Sequence, residues 1–153
     1  MDIFLFSWKF GILYMANIYF DDELQHKLDR FALDLVKGYR RYIAGEGSPT
    51  EESTKLFGCA VFAHYLAKCV HTQKKLKEKG IPSDETCDKE RYHFFLCSGS
   101  VYCGGLAENL IRCARKSNVS SVDELRDQCS AVYDSFRECY LNQLENNYNT
   151  KKE

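Results

Sequence analysis

Two cysteines separated by nine residues frame the stretch CAVFAHYLAKC, residues 59–69. The same spacing recurs at residues 87–97, 103–113 and 129–139, and all 8 cysteines of the chain belong to such C-x9-C motifs. Ten positions along an α-helix are a rise of about 15 Å, whereas a disulfide requires Cα atoms within about 7 Å. The two cysteines of one helical motif therefore cannot bond to each other. They can bond to a second helix with the same spacing.

The residues between the cysteines favour helices. Positions three and seven residues after the first cysteine of a motif continue its helical face. The seventh position is apolar in all four motifs and the third in three of them; the exception is Glu90, around which we expect a more exposed helix. The sequence therefore predicts an all-α protein without strands. The apolar residues at these positions are Phe62, Leu66, Phe94, Leu106, Leu110, Val132 and Phe136.

The spacing of the cysteines and the net charge argue against several kinds of binding site. Neither the C-x2-4-C spacing of zinc sites nor a redox C-x-x-C occurs, and a net charge of −1 gives no reason to expect binding to nucleic acid or to an anionic membrane. We therefore predict a protein that is not an enzyme, with no catalytic residues, no metal, no cofactor and no small-molecule substrate. The histidines, which form no site by their spacing, are His26, His64, His71 and His93.

Two of the motifs carry a resemblance to a known family. The second motif begins Cys87-Asp88-Lys89 and ends through Phe94 and Leu96, and the last places Phe136 and Glu138 before Cys139. These stretches resemble the coiled-coil-helix–coiled-coil-helix (CHCH) family of the mitochondrial intermembrane space. Four motifs in one chain are similar to its quadruple C-x9-C type, which includes an accessory subunit of respiratory complex I. Over residues 59–139, the resemblance implies two disulfide-stapled antiparallel helical hairpins in tandem.

The resemblance also implies a function and a compartment. It indicates a structural accessory subunit of an inner-membrane respiratory complex, expected to be NADH:ubiquinone oxidoreductase (complex I), whose other subunits are its partners. The location implied is the intermembrane space, peripheral to the inner membrane. Eight cysteines are consistent with such an oxidising compartment.

Other functions stay open. The gaps of 17, 5 and 15 residues between motifs depart from the complex I pattern, which keeps a subunit or assembly factor of cytochrome c oxidase, ATP synthase or the mitoribosome as alternatives. A copper carrier of this family would use cysteines beyond the paired motifs, and none is left over. A secreted protein is the last alternative, because Asn118-Val119-Ser120 is a glycosylation acceptor. The N-terminus, however, lacks the positive region and cleavage site of a signal peptide.

Two disulfide arrangements compete. Sequential pairing joins Cys59–Cys97 with Cys69–Cys87, and Cys103–Cys139 with Cys113–Cys129. It agrees with the resemblance and with the tendency of consecutive helices to pack together, and we favour it. A nested arrangement pairs Cys97–Cys103 and Cys87–Cys113 across a turn at Ser98-Gly99-Ser100. It leaves Cys59 for Cys139 and Cys69 for Cys129.

The chain divides into five predicted segments. An apolar aromatic segment (1–20) precedes a helix and linker (21–47), a first hairpin (48–100), a second hairpin (101–145) and a polar tail (146–153) expected to fray. Asp21 or Asp22 caps the first helix, and Gly45-Glu46-Gly47 ends it. The apolar stripe of this helix, expected to pack on the cysteine helices, is Leu24, Leu28, Phe31, Leu35, Tyr39 and Tyr42 or Ile43.

Capping signals predict the remaining helix boundaries. Ser48 as cap, Pro49 at the first position and Glu51 in a capping box predict a helix through Cys59 and Cys69 to Lys79. Ser83 is predicted to start the next helix, which ends near Cys97 before a turn at residues 98–100. The third cysteine helix runs to Lys116, and a box at residues 121–124 starts the last helix, which ends near Leu144. A basic run is expected to be a solvated helix end, with a docking patch as the alternative: Lys74, Lys75, Lys77 and Lys79.

The first twenty residues are predicted to contact a partner protein or a membrane surface. Their aromatic density exceeds what one helical stripe requires, and so apolar a surface rarely stays in water. A single membrane span is an alternative, although Lys9 near its centre would cost about 3 kcal/mol. An additional alternative is a natural start at Met15. The predicted partner-contact residues are Phe4, Phe6, Trp8, Phe10, Tyr14, Tyr19 and Phe20.

Overall fold

The computed structural model describes residues 22–83, 86–116 and 122–152, and the regular elements in these segments are helices. The predicted all-α class is confirmed for these segments. They fall into two compact units, and the chain passes from the first to the second inside one helix, between Phe95 and Leu96. The elements in chain order are α1 (Asp22–Ile43), α2 (Glu51–Leu56), a 3₁₀ turn (Phe57–Cys59), α3 (Ala60–Glu78), α4 (Asp88–Tyr102), α5 (Gly104–Lys116) and α6 (Val122–Lys152).

Helix α1 packs its apolar stripe against α3, as predicted. Side chains at intervals of three and four form its buried face, which is the pattern of an amphipathic helix. The end of the stripe was predicted wrongly, because α1 runs on beyond the last residue it buries and leaves Tyr42 43% and Ile43 64% exposed. Gly45 ends the helix as predicted, with φ of 78°. The buried residues of α1 are Leu24, Leu28, Ala32, Leu35 and Val36.

The start of α2 differs from the prediction by two residues. Thr50, not Ser48, is the N-cap, and its side-chain oxygen accepts the backbone N–H of Ser53 at 3.1 Å. Thr50 has extended backbone angles, which suit an N-cap. Pro49 therefore lies outside the helix.

The predicted continuous helix through the first motif is also interrupted. The chain tightens into a 3₁₀ turn at Phe57–Cys59 and resumes as α3 at Ala60. Cys59 therefore stands at a junction, with φ −100° and ψ 7°, instead of inside a helix. The C-terminal end of α3 lies where it was predicted, before Gly80. Gly80 adopts φ 70°, and the Ile81 N–H donates to the Leu76 carbonyl at 2.9 Å.

Helix α4 runs through the residues predicted to form a turn. It begins at Asp88, directly after Cys87 and not at the predicted Ser83, and it ends at Tyr102. The turn predicted at Ser98-Gly99-Ser100 is therefore wrong. The Ser100 hydroxyl donates to the Leu96 carbonyl at 2.7 Å, so that its polar group is satisfied within the helix.

The direction of the chain changes instead at Cys103, the single residue between α4 and α5. Its N–H donates to the Gly99 carbonyl at 2.7 Å, and its own carbonyl accepts the N–H of Ala107 at 2.9 Å. The Cys103 backbone thus completes α4 and begins α5.

Helices α5 and α6 pack together in the second unit. Helix α6 extends to Lys152, beyond the predicted end near Leu144. Residues 145–152 contain neither glycine nor proline to stop a helix. The buried side chains are Ala107, Leu110, Ile111 and Ala114 of α5, and Cys129, Phe136, Tyr140, Leu141 and Leu144 of α6.

Candidate functional site: the cysteine rungs and the exposed surfaces

All eight cysteines lie in described segments, and none is a free thiol. Cys69 bonds to Cys87 with a Cα–Cα distance of 6.0 Å. In the second unit, Cys103 bonds to Cys139 at 6.3 Å and Cys113 to Cys129 at 6.0 Å. The remaining two cysteines, at positions 59 and 97, are also disulfide-bonded. These bonds follow the sequential arrangement and not the nested one.

The two cysteines of each motif differ in burial. The first cysteine is always buried, with 2% exposure for Cys59, 3% for Cys87, 6% for Cys103 and 1% for Cys129. The second cysteine of each motif is half-buried. Each of the three rungs above therefore joins a buried sulfur to a half-exposed one, which places the rungs at the edge of a core. Sulfur in a disulfide is not a thiolate, the form that acts as nucleophile or metal ligand.

The helical face predicted from the cysteine spacing is the buried face. All four residues seven positions after the first cysteine are buried, whereas the three apolar residues at the third position are half-buried. The prediction of a more exposed helix around Glu90 is wrong. Glu90 is half-buried, and Tyr92, two positions further on, is buried. The buried residues at the seventh position are Leu66, Phe94, Leu110 and Phe136.

Small side chains in α4 create a close contact with α6 in the second unit. A Cβ atom added to Gly99 would lie 2.7 Å from Cε2 of the Phe136 ring. The hydroxyls of Ser98 and Tyr140, both fully buried, share a hydrogen bond of 2.6 Å. Ser98 and Gly99 therefore serve helix packing, and sequence analysis missed this role because serine and glycine are also typical turn residues.

An ion pair joins α1 to α4 in the first unit. Arg91 donates from Nε and Nη2 to the two carboxylate oxygens of Asp29, both at 2.9 Å, and from Nη1 to Asp88 at 3.3 Å. The Arg91 side chain is only 13% exposed. Burial, the largest single influence, lowers the pKa of Arg91, but the hydrogen bonds and charges of Asp29 and Asp88 together raise that pKa above its ordinary value. The pair is separated by 62 positions, so no local sequence pattern could have revealed it.

Three of the four histidines lie on the surface of the described segments. His26, His64 and His71 are exposed, and His93 is half-buried with its ring 5.9 Å from that of Phe62. No group of three or more His, Cys, Asp or Glu residues that could hold a metal ion occurs in the part of the chain that the structure describes.

Two exposed surfaces stand out in the first unit. Beyond the end of the α1 core, the rings of Tyr42 and Phe57 stack at 5.0 Å, and Tyr39 lies 5.6 Å from Phe57. On α3, Val61 and Tyr65 are one turn apart, 52% and 57% exposed. The predicted partner-contact residues lie outside the described segments: Phe4, Phe6, Trp8, Phe10, Tyr14, Tyr19 and Phe20.

The chain matches no protein-family model, no curated protein and no solved structure. The disulfides between helical segments nevertheless fit a CHCH-like disulfide-stapled fold. Among the helices that the structure describes, none combines the length and apolar character needed to cross a membrane.

Proposed function

We propose that the protein is a non-catalytic structural accessory subunit of NADH:ubiquinone oxidoreductase (complex I), attached to the intermembrane-space side of the mitochondrial inner membrane. The observation that carries this proposal is that every cysteine is disulfide-bonded, with the rungs in sequential order across helical C-x9-C motifs. Such bonds persist in an oxidising compartment. The resemblance to the quadruple C-x9-C type supports the intermembrane space among such compartments.

The disulfides support a structural role because of the size of the units they hold. Small units bury a small fraction of their surface and need added stabilisation. The three rungs described above span sequence separations of 18, 36 and 16 residues. Loops of these lengths restrict the unfolded chain by about 3 to 4 kcal/mol per disulfide. The oxidised cysteines thus act as staples for a scaffold that presents its surface to neighbouring subunits.

The described segments expose some apolar and aromatic side chains that can contact a partner. These include the Tyr39–Tyr42–Phe57 cluster and the exposed pair Val61 and Tyr65. We propose that the aromatic residues of segment 1–20 also contact a partner. Aromatic side chains are enriched where proteins bind each other.

Native electrophoresis of detergent-solubilised mitochondria tests this function directly. The tagged full-length protein should migrate with complex I, and depletion of a core subunit of that complex should shift it. In intact mitochondria the tag should resist protease, and rupture of the outer membrane should expose it while a matrix protein stays protected. Recovery of the protein from the culture medium, or a matrix location, would contradict the proposal.

A second candidate is a subunit or assembly factor of cytochrome c oxidase, ATP synthase or the mitoribosome. The observation that favours it is the set of gaps between motifs, which are 17, 5 and 15 residues long and depart from the complex I pattern. The same native gel separates the two candidates, because a stable subunit migrates with one complex and an assembly factor with a smaller intermediate.

A further inference from the structure

The end of α3 carries an unusual concentration of positive charge. We define the lysine tip as residues 74–82, which comprise the last turns of α3 and the loop that follows. Four lysines stand there against one acidic residue, Glu78. All four are exposed, and none of them forms an ion pair with another described residue. The lysines are Lys74, Lys75, Lys77 and Lys79.

The lysine tip lies beyond the disulfide between Cys69 and Cys87. Ten positions separate Cys69, which is bonded to Cys87, from Lys79, and this is a rise of about 15 Å along the helix. The charge is therefore located beyond the part of α3 that the disulfide fixes.

The lysines are spread over a wide arc of the helix instead of lining one narrow face. Each residue turns the helix by about 100°, so positions 74, 75, 77 and 79 are spread over more than half of the circumference. Lysine is a flexible point charge, whereas planar, bidentate recognition of a carboxylate favours arginine. The tip contains no arginine. This distribution suits a diffuse anionic surface better than a groove on an acidic protein.

An apolar side chain lies at the very end of the tip. Gly80, with φ 70°, turns the chain out of the helix, and Ile81 follows with 49% exposure. The Ile81 N–H donates to the Leu76 carbonyl at 2.9 Å, and Gln73 donates to Ser83 Oγ at 3.2 Å. These bonds hold the exposed isoleucine at the end of the helix, close to the lysines.

We infer that the lysine tip docks on an anionic lipid bilayer. Ile81 enters the headgroup region, and the ammonium groups of the lysines lie at the level of the lipid phosphates. Long lysine stems can cover apolar surface while the charge stays in the polar layer, and clusters of four or more basic residues bind anionic leaflets. The docking requires an anionic membrane and not complex I, so it can fail or succeed separately from the proposed function.

Vesicle co-sedimentation of the oxidised full-length chain tests the inference. One set of vesicles contains phosphatidylcholine alone and the other equal parts of phosphatidylcholine and phosphatidylglycerol. The test variant is Lys74→Gln/Lys77→Gln. The control is Lys37→Gln/Lys55→Gln, which removes two exposed lysines of α1 and α2 outside the tip. A third variant, Ile81→Asn, removes the apolar end, and circular dichroism verifies that all variants remain helical.

The protein should prefer the vesicles with phosphatidylglycerol, and salt should weaken the binding. The tip variant should lose about 5-fold in affinity for each lysine removed, whereas the control stays within about 2-fold. Ile81→Asn should weaken binding without changing its dependence on salt. Equal binding to both vesicles, or equal losses in the tip and control variants, would overturn the inference. So would binding to polyglutamate without binding to vesicles, which would indicate an acidic protein partner.

Discussion

At the scale of single residues, Gly99 determines how closely α6 approaches α4. The Phe136 ring occupies the space where any larger side chain at position 99 would begin. Next to it, the buried hydroxyls of Ser98 and Tyr140 satisfy each other. A glycine in a helix interior costs up to about 1 kcal/mol relative to alanine, and the close contact offsets this cost.

The first prediction concerns this contact. Gly99→Ala should lower the free energy of unfolding by about 1 to 3 kcal/mol, because the new methyl group overpacks the core against Phe136. Urea denaturation measures the change. The matched control is Gly105→Ala, where an added Cβ meets nothing within 4 Å. It should leave stability unchanged or raise it by up to about 1 kcal/mol. Equal effects of the two variants would contradict the role assigned to Gly99.

At the scale of elements, an ion pair holds α1 to α4. The guanidinium of Arg91 binds both oxygens of Asp29 in a largely buried position. The raised pKa of Arg91 has a consequence for pH. A raised pKa adds stability that is fully present below the unfolded-state value and is lost only as the pH rises through the folded-state value. For an arginine this loss falls at strongly alkaline pH, so protonation of Arg91 contributes constantly around neutrality.

The second prediction tests the contribution of the Arg91–Asp29 ion pair. Arg91→Ala should lower the free energy of unfolding by about 2 kcal/mol, since it removes charge-assisted hydrogen bonds and leaves Asp29 without its partner. Arg91→Lys should recover part of this loss, because lysine restores the charge but not the two-pronged geometry. Thermal unfolding provides the measurement. Arg40→Ala, at an exposed position of α1, should change stability by less than about 0.5 kcal/mol. A loss of stability in Arg40→Ala as large as that in Arg91→Ala would contradict the role of the ion pair.

Local sequence signals predicted the helices but not every boundary. The α1 helix, its end at Gly45 and the end of α3 before Gly80 follow from periodicity and from glycines that tolerate positive φ. The turn at residues 98–100 was wrong because serine and glycine favour turns and also permit close helix packing. Only the partner side chains, Phe136 and Tyr140, distinguish the two roles. These partners lie about forty positions away in sequence, beyond any local pattern.

At the scale of the whole molecule, two stapled units are joined by one helix, and the aromatic segment 1–20 precedes them. The cysteine spacing was the informative signal for the disulfides. Two antiparallel helices that carry the same C-x9-C spacing can match their cysteines in only one way. The choice of complex has no comparable signal, since the residues between the cysteines are ordinary helix-forming and core residues.

The third prediction separates the segment from the staples. Deletion of residues 1–14 should weaken incorporation into the membrane complex, because it removes most of the predicted partner-contact aromatic residues. The four disulfides should still form, since the described rungs join residues 69–139. Native gels measure incorporation, and alkylation under non-reducing conditions measures free thiols. Free thiols in the deleted protein would show that the segment belongs to the core.

The order of the disulfides is the central claim, and peptide mapping of the unreduced protein tests it most directly. Protein isolated from cells is alkylated, denatured and digested with trypsin and chymotrypsin. The second protease is needed because no lysine or arginine separates Cys97 from Cys103, whereas cleavage after Tyr102 does. The structure predicts that residues 69–74 are recovered joined to residues 80–89, the peptide of Cys87. Recovery of residues 80–89 joined to residues 113–115, the peptide of Cys113, would contradict it.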